Sequence, residues 1–259
     1  MIDSAFATAG ALTGFVVGLT GVGGGALMTP ILLIFFGVAP TTAIATDLWF
    51  AVVTKLVATQ IHNRGGQVDW GIVKRLWLGS LPVAIATVTL VSLGLKVQKI
   101  DWLTTAIGIV VVITAIGILF APRLLQMARE RRLGNPEQFK KAQPTLTVLG
   151  GAILGVCVAL TSVGAGALGS VMLLFLYPLR MTPHRLVATG IVHAIPLAMV
   201  AGMGYLIAGL VDWPMLGSLL VGSIPAVIIG GLLAQRIAGR GLQIVLALVL
   251  ILVGLKTLL

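Results

Sequence analysis

Ten apolar runs, separated by short polar or glycine-rich breaks, organise the chain: 4–20, 25–36, 42–62, 71–94, 101–121, 145–161, 166–178, 185–208, 214–235 and 241–258. Crossing the hydrocarbon layer of a bilayer takes about 20 apolar residues in a helix. Runs of this length and number predict an all-α polytopic membrane protein. They divide five and five around one polar stretch, Pro122–Pro144, which carries Arg123, Arg129, Arg131, Arg132, Lys140 and Lys141 against Glu130 and Glu137. The expected organisation is a first membrane repeat over 1–121, a partly helical linker over 122–144 and a second membrane repeat over 145–259.

The first two runs are too short to cross comfortably, and the stretch between them, Gly18 to Pro30, holds Gly18, Gly21, Gly23, Gly24 and Gly25. Glycine in a helix interior costs up to ~1 kcal/mol relative to alanine. In lipid, unpaired backbone has no water to turn to, so such a break must be shielded by protein or line a wet cavity. A broken helix with bare N–H groups at its restart is suited to hold a small anion.

The stretch occurs twice. Gly14 to Leu27 matches Gly155 to Leu168 at a constant shift of 141, with Thr20 on Thr161, Gly23 on Gly164 and Gly25 on Gly166. Two residues are then inserted and the shift becomes 143, with Pro40 on Pro183, Ala45-Thr46 on Ala188-Thr189, Asp69-Trp70 on Asp212-Trp213, Gly79-Ser80 on Gly222-Ser223 and Pro82 on Pro225. The chain is a duplicated unit. The second copy departs from the first at three places, where Gly21 becomes Ser162, Gly24 becomes Ala165 and Pro30 becomes Val171.

Composition agrees: 58% of residues are hydrophobic and 9% charged, whereas soluble domains carry about 25% charged residues. The net charge of +10 is therefore a matter of loop placement, not of nucleic-acid binding. One cysteine, Cys157, excludes an intrachain disulfide and offers no metal cluster. Connections of one parity hold thirteen basic residues (Arg64, Lys74, Arg75, the six of the linker, Arg180, Arg185, Arg236 and Arg240), and those of the other hold three, Lys96, Lys99 and Lys256. Positive charge marks the cytoplasmic side, so both termini are expected outside and the linker inside. The start, Met1-Ile2-Asp3-Ser4, has no basic n-region, which fits an outside N-terminus without a cleaved signal peptide. Five segments per repeat put the second copy in the membrane upside down, as in inverted-repeat transporters. The glycine-flanked segments either cross fully or dip in and return; the charge pattern allows both.

The glycine motif Gly21-Val22-Gly23-Gly24-Gly25-x-x-x-x-Pro30, the following Ala45-Thr46 and the weaker copy near Gly155 resemble the sulfite exporter TauE/SafE family of membrane permeases over essentially the whole chain. The resemblance implies a bacterial-type inner-membrane permease for sulfite, sulfoacetate or related small anions.

The candidate binding groups are the two breaks, Thr20, Gly21, Gly23, Gly24 and Gly25 in the first repeat and Thr161, Ser162, Gly164 and Gly166 in the second. Their N–H groups and hydroxyls would face an oxyanion; close helix packing is the bland alternative. Lys55 is the only basic residue well inside an apolar run, where it would neutralise the anion or snorkel to the cytoplasmic surface. Asp47, eight residues earlier, would pair with Lys55 or relay a proton or coupling ion, but reads more simply as an acid near the outer helix N-terminus. His193 stands at the place of Phe50, three residues before Pro196, as an anion donor, a proton carrier or a packing residue. The five tryptophans read mostly as interfacial anchors.

No nucleophile–base pair, metal spacing or P-loop lysine follows the glycines, so neither catalysis nor a cofactor is expected. The expected partners are a small anionic substrate and the lipid bilayer, with no nucleic acid; a homodimer is left open. The sequence reads as a secondary transporter of a small anion, with an anion channel and a membrane-embedded enzyme or assembly factor as rivals.

The topology is tested by single-cysteine labelling in a Cys157→Ala background. A cysteine at Glu130 should react with a membrane-impermeant maleimide only after the cells are opened. Labelling in sealed cells would reverse the assignment.

Overall fold

A computed structural model describes residues 3–20, 25–62, 67–94, 101–134, 136–234 and 239–258. Among these residues ten α-helices and no strands are found: α1 (Ser4–Thr20), α2 (Gly25–Phe36), α3 (Pro40–His62), α4 (Trp70–Gly94), α5 (Asp101–Gly134), α6 (Pro136–Thr161), α7 (Ala167–Leu176), α8 (Pro183–Ile207), α9 (Trp213–Ala234) and α10 (Gly239–Leu258). Each coincides with one apolar run. The polar stretch 122–144 is more regular than expected, because α5 continues through it to Gly134 and α6 starts at Pro136.

Five of the helices, α3, α4, α6, α8 and α9, contain spans long and apolar enough to cross a membrane. The α2 and α7 helices have 12 and 10 residues, about 18 and 15 Å at 1.5 Å per residue, roughly half the hydrocarbon thickness. They are half-helices. Large apolar side chains point outward along the long helices, among them Leu78 and Leu90 on α4, Ile207 on α8 and Leu232 on α9. In water such a surface would be untenable; in a bilayer it meets its own kind.

The two halves interlock. Helix α1 packs on α9 and α4 on α6; α3 crosses α8, and α5 lies against α10. The contacts α3–α9 and α4–α8 form another matched pair, as do α2–α10 and α5–α7. Exchanging each helix for its counterpart in the other half reproduces the same pairs. The central helix is α3, the most enclosed of the long spans. Around it Leu48, Val52, Ala84, Val88, Ile107, Val111, Val158, Ala194 and Leu197 form one buried cluster.

Glycines make the closest helix contacts. A Cβ at Gly14 would lie 2.6 Å from the Ser223 carbonyl oxygen, and one at Gly155 would lie 2.5 Å from that of Ser80. The same holds one turn earlier, where Gly10 faces Leu219 O and Gly151 faces Leu76 O, and in the reverse sense where Gly222 faces Ala7 O and Gly79 faces Val148 O. These three contacts in each half correspond at the repeat shift, whereas Gly18 on Val227 O falls at Ala159 in the other half and has no glycine counterpart. Gly10, Gly14 and Gly18 thus form a small-residue seam, spaced every four residues on one face of α1, that lets two backbones touch.

Asp69 and Asp212 close the symmetric frame. Their carboxylates accept from Ile72 N at 3.3 Å and Met215 N at 2.9 Å, capping α4 and α9. Their own amides donate to Thr189 Oγ1 at 3.1 Å and Thr46 Oγ1 at 3.2 Å, tying each cap to the other repeat. One difference breaks the symmetry: Arg180 holds Asp69 with Nε 2.6 Å from Oδ2 and Nη2 donating to Oδ1 at 3.0 Å.

Replacing Gly14 or Gly155 by valine should prise α1 from α9 or α4 from α6. Overpacking of this kind costs roughly 1–3 kcal/mol, or more where backbone must move. Both variants should lose Tm and monodisperse protein in detergent, whereas Gly217→Ala, with nothing within 4 Å of the added Cβ, should leave both unchanged.

Candidate functional site

The break between α6 and α7 is built from side chains that stand in for the missing helix. Thr161 Oγ1 donates to Cys157 O at 2.6 Å and accepts from Val163 N at 3.1 Å, so it ends α6. The chain then turns through two left-handed residues, Ser162 at φ 59° and Gly164 at φ 114°. A non-glycine residue with positive φ is strained, and such strain collects at functional sites. Gly166 caps α7 without a side-chain hydrogen bond, at φ −83°, a conformation open to any residue. Its lack of a side chain serves space, not backbone geometry. Ser162, Val163 and Ala165 are all buried, so the break is walled off by protein.

Asp47 is fully buried. It does not sit at the start of its helix: α3 begins at Pro40 and has no acid in its first turn. The reading of Asp47 as a dipole-favoured acid at the outer end is therefore corrected. Thr29 Oγ1, from α2, donates to Asp47 Oδ2 at 2.6 Å. Ser162 approaches the same carboxylate from the other repeat, yet Asp47 Oδ1 and Ser162 Oγ are both buried without a hydrogen bond. Buried polar atoms left without a partner are costly, and each calls for an explanation.

Lys55 lies two turns further along α3 and is 6% exposed. It lines a small recess together with Gly166, Ser170, Leu186, Val187, Gly190 and Ile191. No ion pair or hydrogen bond to its ammonium is found among the described residues. Asp47 is near enough for the two charges to interact without contact. Lys55 is therefore buried beside residues of the second repeat.

His193 is also buried, but it does not line the recess. Its Nε2 lies 3.0 Å from Ser80 Oγ, and its carbonyl accepts from Trp77 Nε1 at 3.3 Å. Trp49 Nε1 likewise donates to Gly202 O at 3.2 Å. Both tryptophans fasten neighbouring helices to α8 and are not interfacial anchors; Trp70 and Trp213, exposed at the starts of α4 and α9, fit that role.

The structure thus brings Asp47, Ser162, Lys55 and Gly166 into one region where α2, α3, α7 and α8 meet, with His193 beside it. Thr161 and Gly164 shape the break and do not face the recess. Gly25 opens α2; Gly21, Gly23, Gly24 and the side chain of Thr20 lie outside the described residues. Thr29, Ser170 and Gly190 were not singled out in the sequence. Two of them are small hydroxyl residues with no charge to betray them, and the third is a glycine. No group of three His, Cys, Asp or Glu side chains fit for a metal is found among the described residues.

Comparison with known proteins gives the class of this site. The family model described as "Sulfite exporter TauE/SafE" matches residues 6–257. A relative from Bacillus subtilis (strain 168), "Probable membrane transporter protein YjnA", is 37% identical over 252 residues, covering 95% of this chain and 96% of that protein. A second from the same organism, "Probable membrane transporter protein YdhB", is 27% identical over 224 residues, covering 85% of each. A "Probable membrane transporter protein" of Haemophilus influenzae is 24% identical over 164 residues, 61% of this chain and 57% of that protein. No solved structure matches. With a duplicated, glycine-broken helical frame and a family match running almost end to end, the chain belongs to the sulfite exporter TauE/SafE family and is a multi-pass membrane transporter.

Proposed function

We propose that the chain is a secondary transporter that moves a small anion, sulfite or an organosulfonate, across the inner membrane by alternating access between its two repeats. The observation that carries this reading is Lys55, a cation buried on the central helix, unpaired, and aimed into a recess beside the restart of a broken helix. An ionisable residue within the membrane costs at least ~2.5 kcal/mol and is functional by default. A negative ligand would offset that cost. Of the opening N–H groups of α7, that of Gly169 is taken by Gly164 O at 3.0 Å; those of Ala167 and Leu168 have no intrahelical carbonyl to bond and would add partial positive charge on the same side.

Asp47 completes the reading as the coupling group. Its unbonded Oδ1 and the Ser162 hydroxyl would take a proton or small cation that travels with the anion. The site draws on both repeats, so a rocking motion of one against the other would open it to each side in turn. Inverted orientation of the repeats, outside termini and an inside linker belong to the same proposal. The chemistry needs no catalytic residue.

Reconstitution into liposomes tests it. Saturable uptake of radiolabelled sulfite or sulfoacetate, stimulated by unlabelled anion on the other side, is the expected result; flux without trans-stimulation would favour a channel. Lys55→Gln should lower the flux at least about tenfold, since a lost buried charge pair is worth a few kcal/mol, without lowering Tm. Gly166→Ala should also lower flux while the protein folds normally. Gly164→Ala, by contrast, should lose stability and flux together, because its φ of 114° penalises any Cβ. Wild-type flux in Lys55→Gln would remove Lys55 from the site.

A further inference from the structure

The recess beside Lys55 occurs where the second repeat lacks a side chain that the first repeat has. At the repeat shifts, Gly166 corresponds to Gly25, Ser170 to Thr29, Val187 to Ile44, Gly190 to Asp47 and Ile191 to Leu48. The register is secured by structure one residue away, where Thr46 and Thr189 make the same hydrogen bond to Asp212 N and Asp69 N. In the first repeat the Asp47 carboxylate fills this place and takes a hydrogen bond from Thr29 Oγ1. In the second, position 190 has no side chain, and nothing lies within 4 Å of where its Cβ would be. Ser170, with no carboxylate to bond, turns its hydroxyl to Gly166 O at 2.6 Å. Lys55, from the first repeat, lines the space instead.

We infer that the recess at Gly190 is the seat of the substrate's acidic head, a carboxylate-, sulfite- or sulfonate-sized oxyanion that takes the place the Asp47 carboxylate fills in the other repeat. Lys55 supplies the positive charge. Ser170 swings from the Gly166 carbonyl to donate to the ligand, as Thr29 donates to Asp47. The glycine at 190 is what keeps the seat open: any acidic side chain there would be a built-in ligand. The inference rests on the reading of Lys55 as the anion-binding group, and deepens it by saying which residues surround the anion. A single acid group fits beside one ammonium, so the seat selects for one acidic head, with the remainder of a longer sulfonate directed through the mouth.

Gly190→Asp tests the inference, with Gly190→Ala as the control for volume. The purified proteins are melted with and without 10 mM sulfite or sulfoacetate, and assayed for flux of the same anions. In Gly190→Asp the new carboxylate should pair with Lys55. Its Tm without ligand should rise by about 2–4 °C, its response to both anions should vanish, and flux should fall at least about tenfold. Gly190→Ala should keep a measurable response to both anions. Lys55→Gln introduced into Gly190→Asp should erase the gain in Tm, a coupling that measures the seat without reference to transport.

If that coupling is absent, or if Gly190→Asp still responds to the anions, the inference is overturned. If the coupling is present but the wild type neither binds nor moves either anion, the acid seat stands and the sulfur-anion reading of the function falls. Should Gly190→Asp fail to fold, Gly190→Cys in a Cys157→Ala background replaces it. Its modification by a sulfonate-bearing methanethiosulfonate should outpace that by a trimethylammonium reagent, and sulfoacetate should protect it. Equal rates without protection overturn the inference equally.

Discussion

Hydrocarbon offers no hydrogen bond to a backbone group, and the whole arrangement follows from that constraint. Ten helices satisfy it along their lengths; a break in a helix does not. The break from Ser162 to Gly166 survives because protein surrounds it, with Thr161 Oγ1 replacing one backbone partner and buried neighbours excluding lipid. Enclosure requires helices that come very close. The helix that ends in this break, α6, is also the one whose Gly151 and Gly155 press on the backbone of α4. Likewise α1, which leads into the first glycine stretch, carries the seam that presses on α9. Packing and break are parts of one device: on α6, small residues draw the scaffold together one helix upstream of where the chain unwinds.

What the sequence made legible divides along the same line. Apolar length is a strong signal, so all ten helices stood out, as did the duplication, because a constant shift survives loss of identity. Interior glycines split less cleanly. Gly18, Gly23 and Gly25 drew notice by crowding, while Gly10 and Gly14, spread one turn apart, look like ordinary apolar sequence until a partner backbone is known. Asp47 was misplaced because the start of α3 lies at Pro40, which leaves the acid deep in the bundle instead of at its rim. Trp49 and Trp77 bond carbonyls of α8, a preference no hydropathy pattern encodes. Gly190 is the hardest case, since its meaning lies in a carboxylate that only the other repeat possesses.

The two repeats share a frame but divide the chemistry. The scaffold contacts recur pair by pair: Gly14 on Ser223 with Gly155 on Ser80, and Thr46 on Asp212 with Thr189 on Asp69. The charged groups at the centre do not recur: Asp47 falls on Gly190 and Lys55 on Ala198. The first repeat supplies both Asp47 and Lys55, the second a strained serine, an uncapped half-helix and an open glycine. A duplicated frame can hold two structural states of similar energy, because each repeat can adopt the shape of the other. Unequal chemistry at its centre then gives a single site in place of two.

That single site has a consequence for energetics. Lys55 is buried on the most enclosed helix, and Asp47, the nearest opposite charge, is already bonded to Thr29 and does not reach it. A charge held in this way is poorly compensated, and uncompensated buried charge is among the larger penalties a fold can carry. On the proposed reading, the ligand-free protein holds free energy that an anion in the recess would release. A transporter gains from such an arrangement, since a ligand that relieves strain in the closed, dry site favours the occluded state over either open one. On the same reading that penalty would discourage the empty site from closing and would tie the movement of the repeats to the cargo.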